Sequence, residues 1–160
     1  MSQLVKVGIS DLNVVRSPDA LVTFALGSCI GICLYDRVKK VAGLSHIMLP
    51  VNTNKDSKQA YRFADTAIVI LVQKMLAAGA DKRRLTAKIA GGARMFTAIS
   101  NNALASIGQR NIEAVRKELS RLGIPIIADD TGKDFGRTVY FYAEDGSMHV
   151  KSASKGEWVL

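Results

Sequence analysis

Two hydrophobic periods alternate along this chain, and their order limits the folds open to it. Short apolar runs at Leu4–Ile9, Leu21–Leu26, Ile30–Tyr35 and Val41–Leu49 fill the N-terminal third and predict β-strands. From Gln59 to Ala78 the period lengthens: Ala60, Ala64, Ala67, Leu71, Met75 and Ala78 recur at helical spacing, with Gly79 where a C-cap belongs. A strand is expected at Thr86–Ala90. A second helix follows, in which Ile112, Val115, Leu119 and Leu122 form an apolar stripe ended by Gly123. The tail returns to strands at Ile124–Ala128, Arg137–Tyr142 and Met148–Lys151, with Glu144-Asp145-Gly146-Ser147 as the turn of a closing hairpin. This order predicts an α/β fold, a single layered domain over residues 1–160 in which helices cover a mixed or antiparallel β-sheet.

A chain of 160 residues suits one domain of ordinary size. At 48% hydrophobic and 22% charged residues it has a globular composition, without repeats or low-complexity tracts. The longest apolar run, Ala64–Leu71, contains Asp65 and Thr66 and is far shorter than the roughly 20 residues of a membrane span. Met1–Lys6 lacks the apolar core of an export signal, so a cytoplasmic location and two free cysteines are expected. The net charge of +8 favours an acidic partner. Nucleic acid is the weaker candidate, because aromatics are only 6% and the basic residues are scattered from Lys6 to Lys155 instead of clustered.

The chemistry-bearing segment is Leu26-Gly27-Ser28-Cys29, followed through two strands by Ser45-His46. If Ile30–Tyr35 and the strand from Val41 form a hairpin, a two-residue loop at Arg37-Val38, or a four-residue one at Asp36–Lys39, sets Asp36 opposite Lys39. The same register sets Cys29 opposite His46. Facing residues have Cβ atoms about 4.5–5.5 Å apart, within reach for an imidazole and a thiol to form a nucleophile–base pair. Zinc is a poor alternative, because Cys29 and Cys33, four apart on a strand, lie on the order of 13 Å from one another. That separation also excludes a disulfide between them. Cys33 is expected to be a small buried hydrophobe, and His149 a surface residue. Thr131-Gly132-Lys133-Asp134 lacks the residues of a phosphate-binding loop, the dinucleotide fingerprint is missing, and Gly91-Gly92 reads as a turn or close approach. No cofactor or metal is therefore expected.

Around these residues the sequence resembles the CheD family of chemoreceptor glutamine deamidases. The likeness runs through Leu26-Gly27-Ser28-Cys29, Ser45-His46-Ile47-Met48-Leu49-Pro50, Ala64-Asp65-Thr66-Ala67, Ala87-Lys88-Ile89-Ala90-Gly91-Gly92-Ala93, Ile107-Gly108-Gln109-Arg110-Asn111 and Asp129-Asp130-Thr131-Gly132. The resemblance implies a catalytic triad of Cys29, His46 and Thr23. It also implies a fold similar to the catalytic domain of deamidating cytotoxic necrotizing toxins. Its implied substrates are glutamines on the cytoplasmic helices of methyl-accepting chemoreceptors, and its implied second partner is the CheC phosphatase. The alternative function it leaves is that of a binding regulator stimulating CheC, with catalysis secondary. Backbone N–H groups around Ser28 and Cys29, freed from regular pairing by Gly27, are the expected oxyanion donors.

Overall fold

The computed structural model describes residues 2–55, 57–95 and 107–160. Among the described residues ten strands form two five-stranded sheets. The strands are β1 (Leu4–Lys6), β2 (Asp11–Arg16), β3 (Ala20–Leu26), β4 (Ile30–Asp36), β5 (Val41–Ile47), β6 (Thr86–Gly91), β7 (Ile126–Thr131), β8 (Arg137–Tyr142), β9 (Met148–Ser152) and β10 (Gly156–Val159). One sheet runs β1-β3-β8-β9-β10 and the other β2-β5-β4-β6-β7. Within them β1–β3 and β6–β7 pair parallel and the remaining neighbours antiparallel, so both sheets are mixed. The described residues also form two α-helices, α1 (Ala64–Ala77) and α2 (Ile107–Arg121), which makes the fold α/β.

Alternation along β4 shows how the layers stack. Ile30, Ile32 and Leu34 join Ala67, Leu71 and Met75 of α1 and Ile112, Val115 and Leu119 of α2 in one apolar cluster. Cys33 and Tyr35 point the other way, into a second cluster with Leu21, Leu26, Val139, Phe141 and Val150 of the opposing sheet. The sheet containing β4 is thus central, helices on one face and the outer sheet on the other. Every residue of β4 and β5 is buried, as expected of strands covered on both faces.

The expected layering of mixed β-sheet and covering helices is present, with the strands divided between two sheets, and several boundaries move. The run Leu4–Ile9 is strand only to Lys6, and β2, at an edge of the central sheet, was not expected at all. Its signal is blurred because Leu12, Val14 and Val15 do not alternate cleanly, and Asp11 and Asn13 bind the N–H groups of Leu12 and Val14. The first helix begins at Ala64; Ser57–Arg62 forms a 3₁₀ segment, kinked at Gln59. The strand expected at Ile124–Ala128 lies at Ile126–Thr131, and the tail hairpin continues into β10. Gly79 and Gly123, at φ +107° and +72°, do stand where the chain leaves each helix.

The β4–β5 register also differs from the expected one. Gly31, not Cys29, faces His46, and Asp36 faces Val41, a slip of two residues. The cause is the Asp36 carboxylate, which accepts from the N–H groups of Val38 and Lys39 and so organises a four-residue turn, 37–40. It also accepts from the Asp81 N–H and both arms of the Arg84 guanidinium, at 2.8–3.0 Å. Burial pushes this carboxyl up, but the bonds from Arg84, Asp81, Lys39 and Val38 outweigh it and hold Asp36 well below its ordinary 3.8. A carboxylate depressed on folding stabilises fully above its unfolded pKa and loses that contribution as pH falls through the folded value. Asp36→Asn is expected to lower stability by about 2 kcal/mol at neutral pH, because the bonds to charge weaken while the turn keeps its shape. Urea unfolding from pH 7 to 2 checks this: the gap between wild type and variant is full above about pH 4 and narrows below it.

Candidate active site

β3 of the outer sheet and β5 of the central one bring two of the candidate residues together across the layer between sheets. Thr23 and His46 are both fully buried. The Thr23 Oγ1 lies 2.7 Å from His46 Nδ1 and donates its proton to the Val7 carbonyl at 2.8 Å. A hydroxyl has one proton and a carbonyl only accepts, so the Thr23 oxygen must accept from Nδ1–H. Neutral His46 is thereby held with its proton on Nδ1 and a lone pair on Nε2. Nε2 is buried and has no partner among the described residues. Burial lowers the His46 pKa from 6.5 to about 4, so the ring is neutral at physiological pH. Beside Thr23 the ladder to β8 is interrupted by a bulge at Phe24–Ala25, with Ala25 at φ +59°.

Cys29 lies in the bend 27–29 between β3 and β4, outside the ladder. It is half-buried and packs against the intersheet cluster, the same layer that holds His46. Parity, carried one residue beyond the end of the ladder at Ile30, puts Cys29 on the His46 face, diagonal to it instead of opposite. Diagonal pairs lie about 7–8 Å apart at Cα, a span that the length of an imidazole bridges. Burial pushes the thiol up from its ordinary value, so Cys29 rests protonated.

The bend is fastened from behind by three carbonyl bonds. Ala93 N–H donates to the Gly27 carbonyl at 2.8 Å, Gly92 N–H to the Cys29 carbonyl at 2.8 Å, and Asn111 Nδ2 to the Ser28 carbonyl at 2.9 Å. Gly91 makes this approach possible: at φ +108°, a Cβ there would stand 2.2 Å from the Cys29 carbonyl oxygen. Gly108 serves α2 in the same way, since a Cβ would meet the Gly92 and Ala93 carbonyl oxygens at 2.6 Å. The reading of Gly91-Gly92 as close-approach glycines is thus matched by the packing. No described carbonyl accepts from the N–H of Ser28 or Cys29.

Other candidates fall away from this cluster. Cys33 is fully buried, 3.9 Å from the Met148 sulfur, with burial pushing its thiol far up. His149 is half-exposed on the outer sheet beside Tyr142 and Ser147. Among the described residues no group of His, Cys, Asp and Glu could hold a metal ion, and no helix is long and apolar enough to cross a membrane. Sequence reasoning did not find the roles of Val7 and Asn111, since a main-chain acceptor and a single helical amide leave no spacing signal. In native protein Cys29 should be alkylated by iodoacetamide and Cys33 should not react until denaturant is added. Peptide mass mapping after timed labelling measures this, and native labelling of Cys33 would contradict its placement.

The family described as CheD chemotactic sensory transduction matches residues 48–152. A probable chemoreceptor glutamine deamidase CheD from Caldanaerobacter subterraneus is 49% identical over 97% of this chain and 96% of its own length. A chemoreceptor glutamine deamidase CheD from Halalkalibacterium halodurans is 48% identical over 98% of each chain. A probable CheD of the same description from Clostridium botulinum is 53% identical over 95% of this chain and 94% of its own. Identity of this order over nearly the full length of each chain means that the chain belongs to the CheD family.

Proposed function

We propose that this chain hydrolyses glutamine side chains of chemoreceptors to glutamate, with Cys29 as nucleophile, His46 as general base and acid, and Thr23 as its orienter. The observation that carries the reading is the buried imidazole, tautomer set by Thr23 and Val7, whose unpartnered Nε2 shares a layer with the half-buried Cys29 thiol. The names and near-complete coverage of the relatives support the substrate class.

The reaction begins as the Cys29 sulfur adds to the glutamine carbonyl carbon while its proton passes to His46 Nε2. The negative charge on the tetrahedral oxygen is met by main-chain N–H groups of the bend at Gly27, Ser28 and Cys29. Collapse breaks the C–N bond; imidazolium returns the proton to the departing nitrogen, ammonia leaves, and a thioester remains on Cys29. Water, deprotonated by His46, then adds to the thioester carbon. Expulsion of the sulfur, reprotonated by the imidazolium, leaves glutamate and the free thiol. Throughout, Thr23 accepts from Nδ1–H and takes no proton, the place that a carboxylate holds in other triads. A neutral orienter stabilises imidazolium less than a carboxylate does, so modest turnover is expected.

The two apolar clusters share the central sheet, which supports reading residues 1–160 as one domain. A cytoplasmic location is part of the proposal, as are binding of the CheC phosphatase and kinship with the deamidating toxin domain, the last two from the family resemblance. CheC binding is proposed as a role that survives loss of the nucleophile.

Incubation with a purified chemoreceptor cytoplasmic fragment, followed by mass spectrometry, tests the reading through the gain of about 1 Da per amide converted to acid. Cys29→Ala and His46→Ala should abolish conversion in folded protein, and full conversion by either variant would refute the assignment. Thr23→Ser should keep much of the rate. Thr23→Ala should lose on the order of 10- to 100-fold, because ring and thiol still reach the productive geometry part of the time.

The pH profile gives a separate check. A base with its pKa lowered to about 4 stays neutral well below pH 6, so the acid limb of kcat/KM should have its midpoint near 4, not near 6.5. Rates measured in overlapping buffers from pH 3.5 to 8 decide it, with circular dichroism confirming folded protein at each point.

A further inference from the structure

Asn111, in the second turn of α2, is fully buried and uses both N–H groups of its amide. One donates to the carbonyl of Ser28, the residue before the proposed nucleophile. The other donates to the carbonyl of Met48, two residues beyond the proposed base, also at 2.9 Å. Because both partners only accept, the NH₂ end must face the bend, and Oδ1 is left buried with no partner among the described residues. Such an orphaned acceptor is unfavourable. The amide is oriented at that cost to hold these two carbonyls.

The consequence for Cys29 follows from peptide geometry. Across a trans peptide the carbonyl of residue i and the N–H of residue i+1 lie antiparallel in one plane. The Ser28 carbonyl faces Asn111, and α2 packs on the helix-covered side of the central sheet. The N–H of Cys29 is therefore aimed the opposite way, toward the intersheet layer that holds Thr23 and His46. The flanking carbonyls of Gly27 and Cys29 are tied by Ala93 and Gly92, so the peptide has little freedom to turn. No described carbonyl accepts from this N–H.

We infer that Asn111 is a positioning residue for the oxyanion site: its bond to the Ser28 carbonyl aims and polarises the Cys29 N–H as a donor to the developing negative oxygen. Its bond to the Met48 carbonyl keeps that donor in register with the segment carrying His46. The inference rests on Cys29 being the nucleophile.

Its test separates two reactions of one thiol. Alkylation by iodoacetamide displaces iodide at an sp³ carbon and builds no oxyanion, whereas deamidation does. In Asn111→Ala, alkylation of Cys29 should stay within about threefold of wild type while single-turnover deamidation of a chemoreceptor fragment falls about 10- to 100-fold. Should that variant prove unfolded by circular dichroism, Asn111→Asp, of the same shape but without the two N–H donors, takes its place. A deamidation rate within about twofold of wild type overturns the inference. So does an equal fall in both rates, since that marks Asn111 as a support of the fold or of the thiol alone. A third measurement uses wild-type protein: on forming a hemithioacetal with a glutamine-like peptide aldehyde, the Cys29 amide proton should move downfield by NMR. An unmoved amide proton also overturns the inference. Full activity in Cys29→Ala would instead bring down the reading of the active site itself, an outcome distinct from each of these.

Discussion

An imidazole sealed between two β-sheets is tolerable only if its polar atoms are answered, and the arrangement around His46 answers one of them. The Thr23 hydroxyl bridges from the outer sheet, and its own proton is taken by Val7 at the start of the chain. Three segments meet at one oxygen atom. The other ring nitrogen is left open, which costs on the order of 1–3 kcal/mol for a buried polar atom. An unmet lone pair of this kind is a feature of functional sites more than of cores, because a fold built only for stability has no reason to keep it. The low pKa that burial imposes is the other side of the same arrangement: the ring stays neutral and its lone pair stays available.

Around this point the architecture supplies rigidity by ion pairs and close approaches. Arg137 of β8 is wholly buried, donates to Asp130 of β7 and to the Gly132 carbonyl, and lies over the Phe135 ring at 4.4 Å. The pair thereby links the two sheets where the chain passes from one to the other. Asp36 and Arg84 tie the turn between β4 and β5 to the segment that precedes β6, within the central sheet. Pairs this deep are weak contributors to net stability but costly to break on one side, so they specify geometry more than they strengthen it.

Much of this was legible in the sequence because it depends on parity and period. Cys29 and His46 were expected to face one another directly; the slip to Gly31 opposite His46 was even, so both stayed on one face. An odd slip would have parted them. The turn length was not legible, because it is set by how the Asp36 carboxylate is shared with Asp81 and Arg84, some 45 residues further on. The edge strands β2 and β10 escaped for a related reason: pairing on one side only leaves polar side chains free to blur the alternation. Thr23 entered through the family resemblance; spacing alone does not reveal that β3, from a different sheet, meets β5.

The placement of the second thiol has a bearing on oxidation. Cys33 is locked against Met148 in the intersheet core, and four residues of extended chain put it on the order of 13 Å from Cys29. An accessible Cys29 converted to a sulfenic acid accordingly finds no resolving thiol within its own chain. Its recovery depends on a small-molecule thiol or another protein, and further oxidation to the sulfinic acid is then irreversible.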